Sequence, residues 1–210
     1  MVYYFLIDFK ISLGGVAVSK IFISHSSKDD IVPLFVDYLI SIGIPNKNIF
    51  FIPDENLGRH IAEKLPDKHF IFNDGFCHVH KSIHKEDILK AKEVHPEAMV
   101  LAHPECTPDT LSVADFIGST SQIIDYATSS EKNSFIICTE MGIFYELMQK
   151  NPEKKFYSVG HRQFCPNMKK VNLENVLESL EKMAPEIELD EELRESARKP
   201  LKRMLELAAN

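Results

Sequence analysis

The stretch Ser134-Phe135-Ile136-Ile137-Cys138 is a short apolar run of the length expected for a buried β-strand. A helical pattern follows over Met141–Lys150, and a second short apolar run follows over Lys155–Ser158. Strand, helix and strand joined by short connections are typical of parallel strands that pack under helices. This stretch therefore predicts an α/β fold.

The same alternation extends outward through most of the chain. The strand candidates are Lys20–Ser24, Asn48–Ile52, His69–Phe72, Ala98–Leu101, Ser134–Cys138 and Lys155–Ser158. The helix candidates are Asp29–Ile42, Glu55–Lys64, Lys85–Val94, Pro108–Phe116, Ser121–Ser129, Met141–Lys150, Leu173–Met183 and Glu191–Ala208. Parallel sheets covered by helices are predicted throughout.

Composition narrows the class of protein. The chain has 210 residues, 44% of them hydrophobic and 26% charged, as in an ordinary globular protein of one or two domains. A formal net charge of −7 gives no electrostatic case for binding nucleic acid. No apolar run is long enough to span a membrane. Four cysteines do not make a disulfide scaffold, and reduced thiols suit a cytoplasmic protein.

Two cysteines, Cys77 and Cys165, stand 88 residues apart in segments that predict loops. Between them lie His103-Pro104-Glu105 and Gly118-Ser119-Thr120-Ser121, which carry acid, imidazole and hydroxyl groups. Distant cysteines beside such groups suggest a metal or cluster site. Two thiolates are nevertheless too few for an iron–sulfur cluster that normally takes four protein ligands.

Two alternatives stay open on the residues alone. Cys77, His78, His80 and His84 are crowded enough to suggest zinc, although their spacing is poor for a closed tetrahedral site. The segment Gly118–Ser121 is either a plain helix cap or an anion site at a helix N-terminus, where unpaired N–H groups favour negative charge.

Seven motifs in order carry a resemblance to a known family. They are Phe51-Ile52-Pro53-Asp54-Glu55-Asn56-Leu57-Gly58-Arg59, Asp74-Gly75-Phe76-Cys77-His78-Val79-His80, Ala102-His103-Pro104-Glu105-Cys106, Ala114-Asp115-Phe116-Ile117-Gly118-Ser119-Thr120-Ser121, Phe135-Ile136-Ile137-Cys138-Thr139-Glu140, Cys165-Pro166-Asn167-Met168-Lys169-Lys170 and Pro200-Leu201-Lys202-Arg203-Met204-Leu205. From about Asn46 onward the chain resembles the quinolinate synthases of NAD biosynthesis.

This resemblance implies three similar three-layer α/β/α domains with parallel sheets around a central [4Fe–4S] cluster. One cysteine from each domain holds the cluster, and the fourth iron position stays open for substrate. The enzyme, a transferase, condenses iminoaspartate with dihydroxyacetone phosphate to quinolinate. An L-aspartate oxidase or an aspartate dehydrogenase is the expected supplier of iminoaspartate.

The resemblance also assigns roles to residues of this chain. Cys77 and Cys165 match two cluster ligands. His103, Pro104 and Glu105 match the segment that contacts the iminoaspartate-derived substrate, with Ser119 and Thr120 at its carboxylate. The catalytic set implied by the motifs comprises His103, Glu105 and His80. Cys106 is expected in its motif without being a ligand, and buried packing is the expected role of Cys138.

The first domain of the family has no counterpart in the sequence, and Met1–Pro45 contains no cysteine to serve as the third ligand. The predicted organisation is residues 1–45 as a separate segment, 46–83 as the rest of the second domain, 84–165 as the third domain and 166–210 as C-terminal helices. On its own, the chain is expected to be inactive because one cluster thiolate is missing.

The segment 1–45 resembles the first strand and helix of a bacterial Toll/interleukin-1 receptor (TIR) domain over about 30 residues, from Ser19 to Ile44. This likeness gives the alternative function, a TIR-type signalling or interaction protein. The alternative leaves the seven downstream motifs unexplained.

Overall fold

The computed structural model describes residues 3–7, 11–13, 16–18, 21–25, 48–160, 162–186 and 188–208. The strands are β1 Tyr3–Ile7, β2 Ile11–Leu13, β3 Val16–Val18, β4 Ile21–His25, β5 Asn48–Ile52, β6 His69–Phe72, β7 Met99–Ala102, β8 Phe116–Ile117, β9 Ser134–Cys138 and β10 Lys155–Ser158. The helices are α1 Glu55–Lys64, α2 His78–Lys81, α3 Lys85–Val94, α4 Pro108–Leu111, α5 Thr120–Ser129, α6 Ile143–Lys150, α7 Leu173–Lys182 and α8 Glu191–Ala208. The predicted α/β class is confirmed.

The first sheet has the strand order β1-β4-β5-β6. Strands β4, β5 and β6 run parallel, and β1 pairs antiparallel with β4. Helix α1 packs against β5 and β6, where a side chain on Gly58 would meet the rings of Phe51 and Phe72 at 2.7 and 2.9 Å. Phe51 and Ile61 are almost fully buried in this layer.

The second sheet has the order β10-β9-β7-β8 and is wholly parallel. Strand β9 is buried along its whole length, as the run Ser134–Cys138 predicts. Alternate residues of β9 face opposite layers: Ile136 packs with Ile88 of α3, whereas Ile137 packs with Ile123 of α5 and Leu147 of α6. This is the predicted three-layer α/β/α arrangement.

The helix predicted over Pro108–Phe116 is wrong in its second half. Helix α4 ends at Leu111, and Phe116–Ile117 forms β8 beside β7. The Asp115 N–H donates to the Val100 carbonyl at 2.9 Å, and the Asp115 carboxylate accepts from the Val100 N–H at 2.7 Å. Pairing with the neighbouring strand therefore overrides the local helical pattern.

Helices α7 and α8 follow a short 3₁₀ turn at Met168–Lys170, as the helical patterns over Leu173–Met183 and Glu191–Ala208 predict. Helix α8 lies beside β1. The apolar side chains of α7, among them Leu173 and Leu180, are exposed. None of the helices in the described ranges is long and apolar enough to cross a membrane. The predicted helix Asp29–Ile42 lies outside the described residues, and the domain boundaries stay a prediction.

Candidate functional site

Every predicted site residue follows the carboxyl end of a parallel strand. Cys77 follows β6, His103 and Glu105 follow β7, Ser119 follows β8, and Cys165 follows β10. Carboxyl ends of parallel strands are where α/β proteins place their ligands, because the loops there converge at one edge of the sheet. The topology therefore brings these loops to the side of the molecule where a site is expected.

Cys77 is fixed by its backbone at the start of α2. Its N–H donates to Asp54 Oδ2 at 2.7 Å, and Asp54 Oδ1 accepts from the Leu57 N–H at 2.8 Å at the start of α1. The loop that leads to Cys77 needs a glycine at position 75, because a side chain on Gly75 would meet the Pro53 carbonyl oxygen at 2.1 Å. Asp54 is buried, and burial raises the pKa of its carboxyl group, with a further contribution from the charge of Glu105.

Cys165 lies in the loop after β10 and is tied to the end of β9. Its N–H donates to Glu140 Oε1 at 3.2 Å. Two residues earlier, the buried Gln163 side chain donates to the carbonyls of Ile137 and Thr139 at 2.7 and 2.6 Å. Burial would raise the pKa of the Glu140 carboxyl group, but hydrogen bonds from Lys169, Gly142 and Cys165 lower it overall.

His80, Glu105 and His103 form a compact polar cluster. His80 Nδ1 lies 2.8 Å from Glu105 Oε2, and His80 Nε2 lies 2.9 Å from Thr139 Oγ1. The rings of His80 and His103 stack with centroids 4.2 Å apart. The Glu105 N–H donates to His103 Nδ1 at 3.2 Å, so a neutral His103 carries its proton on Nε2.

The surroundings of His80 favour its charged form. Burial alone would lower the pKa of the imidazole, but hydrogen bonds with Cys77 and Glu105 and the charges of the same two groups raise it to about 9. Cys77, His80 and Glu105 offer ligand atoms that all lie within 4.8 Å of one another. A thiol, an imidazole and a carboxylate thus meet at one point.

Ser119 caps helix α5 from a buried position. Its N–H and its hydroxyl both donate to Gln122 Oε1, at 3.0 and 3.2 Å, and the Gly118 N–H donates to the Ala102 carbonyl at 3.0 Å. The hydrogen bonds of Ser119 therefore match the helix-cap interpretation of the segment Gly118–Ser121. Thr120, the first residue of α5, is exposed, and Pro104 is buried between His103 and Glu105.

A family model described as "Quinolinate synthetase A protein" matches residues 36–206. The chain belongs to the quinolinate synthase family. It is 53% identical over 164 residues to the quinolinate synthase of Caldicellulosiruptor saccharolyticus, covering 78% of this chain and 54% of that protein. It is 47% identical to the Clostridioides difficile quinolinate synthase and to quinolinate synthase 2 of Methanosarcina acetivorans, over 79% of this chain and 54% and 53% of those proteins.

The chain thus spans about half the length of the curated quinolinate synthases it matches. The family match begins at residue 36, inside the segment 1–45 that resembles a TIR domain. The comparisons favour quinolinate synthase over the TIR-type alternative.

The residues that the structure describes fit the thiol chemistry of this family. Cys77 and Cys165 are partly exposed, whereas Cys106 and Cys138 are fully buried. Burial raises the pKa of Cys106 and of Cys138 far above the ordinary range, so both stay protonated core thiols, as predicted for Cys138. Thiolates are the usual ligands of iron–sulfur clusters, and Cys77 and Cys165 have the accessibility such ligands need.

The four candidate zinc ligands do not come together in one site. Of Cys77, His78, His80 and His84, only Cys77 and His80 belong to the group of neighbouring ligand atoms, which is completed by Glu105. His78 and His84 are exposed.

Four residues with clear structural links to the site were not predicted to belong to it. Asp54 and Glu140 bind the backbone of the two cysteines, Thr139 contacts His80, and Gln163 anchors the Cys165 loop. All but Gln163 lie inside motifs that resemble the family. Besides these motifs, their positions within two residues after β5 and β9, or two residues before Cys165, are sequence signals that could have identified them.

Proposed function

We propose that this chain forms the part of a quinolinate synthase that carries two of the three cluster cysteines and the acid–base cluster of the active site. The observation that carries the proposal is the contact of His80 with Glu105 at 2.8 Å beside Cys77. An imidazole and a carboxylate in direct contact can exchange a proton, which dehydration and tautomerisation both require. The reaction is the condensation of iminoaspartate with dihydroxyacetone phosphate to quinolinate.

His80 and Glu105 are the proton-transfer pair in this proposal, and Thr139 and His103 hold His80 in place. His80 Nε2 is hydrogen-bonded to Thr139 Oγ1. The proton that His80 exchanges with Glu105 is therefore the one at Nδ1. The stacked ring of His103 restricts rotation of the His80 imidazole. A side chain fixed in this way transfers its proton without first reorganising.

His103, Pro104 and Glu105 provide the wall that contacts the iminoaspartate-derived substrate, and Ser119 and Thr120 bind its carboxylate. A proton on His103 Nε2 makes this residue a hydrogen-bond donor, which suits an anionic substrate. Ser119 and Thr120 stand at the N-terminus of α5, where the helix dipole favours a carboxylate.

Cys77 and Cys165 would hold a [4Fe–4S] cluster, whose open iron position supplies a Lewis acid for the departure of a hydroxyl group. The two remaining cysteines of this sequence, Cys106 and Cys138, are buried in the core and would not serve as the third ligand. A polypeptide segment outside this sequence would supply the third cysteine. The lone chain is accordingly expected to lack turnover.

The cellular setting follows from the same chemistry. A cluster with an exposed iron position and four unpaired cysteines belongs in a reducing compartment, the cytoplasm. Iminoaspartate must be formed by oxidation of an amino acid, so an L-aspartate oxidase or an aspartate dehydrogenase is the proposed supplying partner.

The experiment is anaerobic reconstitution with iron and sulfide, followed by an assay for quinolinate. The chain is tested alone and mixed with a polypeptide that corresponds to the half of its relatives that it does not cover. We expect quinolinate from the mixture and none from the lone chain. Metal analysis of the same samples distinguishes iron from zinc.

Matched variants test which cysteines matter. Cys77→Ala and Cys165→Ala are expected to abolish quinolinate formation by the mixture, whereas Cys138→Ala is expected to keep it. Turnover by the lone chain would contradict the expected inactivity. A mixture that binds iron and sulfide but forms no quinolinate would overturn the proposed function.

A further inference from the structure

Cys77 and Cys165 are held by the same kind of contact in two different sheets. In each case the cysteine N–H donates to a carboxylate that stands two residues after the end of the neighbouring strand. Neither carboxylate is among the predicted site residues. The repetition points to a role that goes beyond a local helix cap.

In the first sheet the carboxylate is Asp54, which follows β5. Its Oδ1 accepts the Leu57 N–H at the start of α1, and its Oδ2 accepts the Cys77 N–H. Strands β5 and β6 are parallel neighbours, and Cys77 lies in the loop after β6. Asp54 is only 4% exposed, so water does not compete strongly for these bonds.

In the second sheet the carboxylate is Glu140, which follows β9. Its Oε2 accepts the Gly142 N–H at 2.6 Å just before α6, and its Oε1 accepts the Cys165 N–H. Strands β9 and β10 are parallel neighbours, and Cys165 lies in the loop after β10. Lys169 adds an ion pair, with its Nζ 3.0 Å from Glu140 Oε1.

We propose that Asp54 and Glu140 are paired positioning residues, each of which holds one cysteine at the strand end through that cysteine's backbone N–H. A carboxylate suits this task because both of its oxygens accept hydrogen bonds, one from the helix start and one from the cysteine. A carboxamide offers only one acceptor oxygen, and its NH₂ group would oppose the second N–H.

The positioning role can be separated from simple helix capping by substitution. Asparagine caps helices as well as aspartate does, so Asp54→Asn keeps the bond to Leu57 and loses the bond to Cys77. Glu140→Gln likewise keeps one acceptor and loses the other. Asp54→Ser is the second variant at the first position, because serine also caps helices and carries no NH₂ group to oppose Cys77.

The first measurement is amide hydrogen exchange of the two cysteines in the cluster-free chain. Asp54→Asn is expected to speed exchange at Cys77 about tenfold and leave Cys165 unchanged, because one hydrogen bond is lost at one site only. Glu140→Gln is expected to do the reverse. Urea unfolding midpoints of the same variants report any general loss of stability.

The second measurement concerns the cluster and rests on the proposed function. In mixtures of the chain with the polypeptide that corresponds to the half of its relatives it does not cover, reconstituted with iron and sulfide, each variant is expected to release iron to a chelator faster than the unsubstituted chain. Glu140→Asp, a shorter carboxylate, is expected to restore part of the retention that Glu140→Gln loses.

The two measurements fail separately. Exchange that rises equally at both cysteines, or at neither, in Asp54→Asn, Asp54→Ser and Glu140→Gln would overturn the positioning role. A selective change in exchange, combined with no iron binding by any of these mixtures, would keep the positioning role and contradict the cluster.

Discussion

The four cysteines fall into two pairs with opposite surroundings. Cys106 and Cys138 lie in the core between the second sheet and α3, fully buried with apolar neighbours. Cys77 and Cys165 lie after strand ends, partly exposed, each with its N–H bound to a carboxylate. The same side chain is thus a packing group in one place and a reachable thiol in the other. The fold, and not the residue type, decides which thiols are accessible.

Thiol reactivity provides the largest expected contrast between the pairs. In the folded, cluster-free chain at pH 8, Cys77 and Cys165 should be alkylated at least about 100-fold faster than Cys106 and Cys138. Burial keeps the second pair protonated and out of contact with the reagent. Peptide mapping by mass spectrometry after timed alkylation measures the four rates.

The urea-unfolded chain is the control for this prediction, since all four thiols should react at similar rates there. A folded chain in which Cys138 reacts as fast as Cys77 would contradict the assignment of Cys138 to the core.

The free energy of unfolding should also differ between the buried and the accessible cysteine pairs when one cysteine of each is substituted, and this effect is smaller than the contrast in alkylation rate. Cys138→Ser places a hydroxyl group in an apolar layer and is expected to lower the free energy of unfolding by about 1–3 kcal/mol. The same substitution at the partly exposed Cys165 is expected to change it by less than about 0.5 kcal/mol. Urea denaturation of the two variants measures both values, and equal losses would remove the distinction.

The sequence predicts the layers of this fold well where apolar runs are continuous. The run Phe135–Ile137 is a buried strand because each of its side chains meets a helix layer on one face or the other. Strand β8 could not be predicted in the same way. It has two residues, and its conformation depends on hydrogen bonds to Val100 and Ala102 of another strand, which leave no local pattern.

Prediction of the site residues from the sequence is limited in the same way. Cys77, His103 and Glu105 could be selected because their residue types bind metals or transfer protons. Asp54 and Glu140 could not, since each reaches its cysteine across 23 or 25 residues of sequence. A contact of that kind depends on which strands are neighbours, and strand order is not visible in a periodic pattern.

The smallest predicted effect separates the two accessible cysteines from each other. Glu140, which accepts the Cys165 N–H, also forms an ion pair with Lys169. The pKa of the Glu140 carboxyl group is lowered. A lowered pKa contributes stability above the unfolded value of about 4.3, and this stability is lost as the pH falls through the folded value. Lys169→Met should therefore lower the free energy of unfolding by less than about 1 kcal/mol at pH 7, since the lysine is partly exposed.

The difference between Lys169→Met and the unsubstituted chain should shrink as the pH falls through the lowered folded pKa of Glu140, and it should disappear once that carboxyl group is protonated in both proteins. The variant should also raise the alkylation rate of Cys165 a few-fold and leave that of Cys77 unchanged, because Asp54 holds Cys77 independently. Lys170→Met, at an exposed neighbouring position, is the matched control. A pH-independent loss of stability in Lys169→Met would mean that the apolar stem of the lysine contributes by packing and that its charge on Glu140 does not.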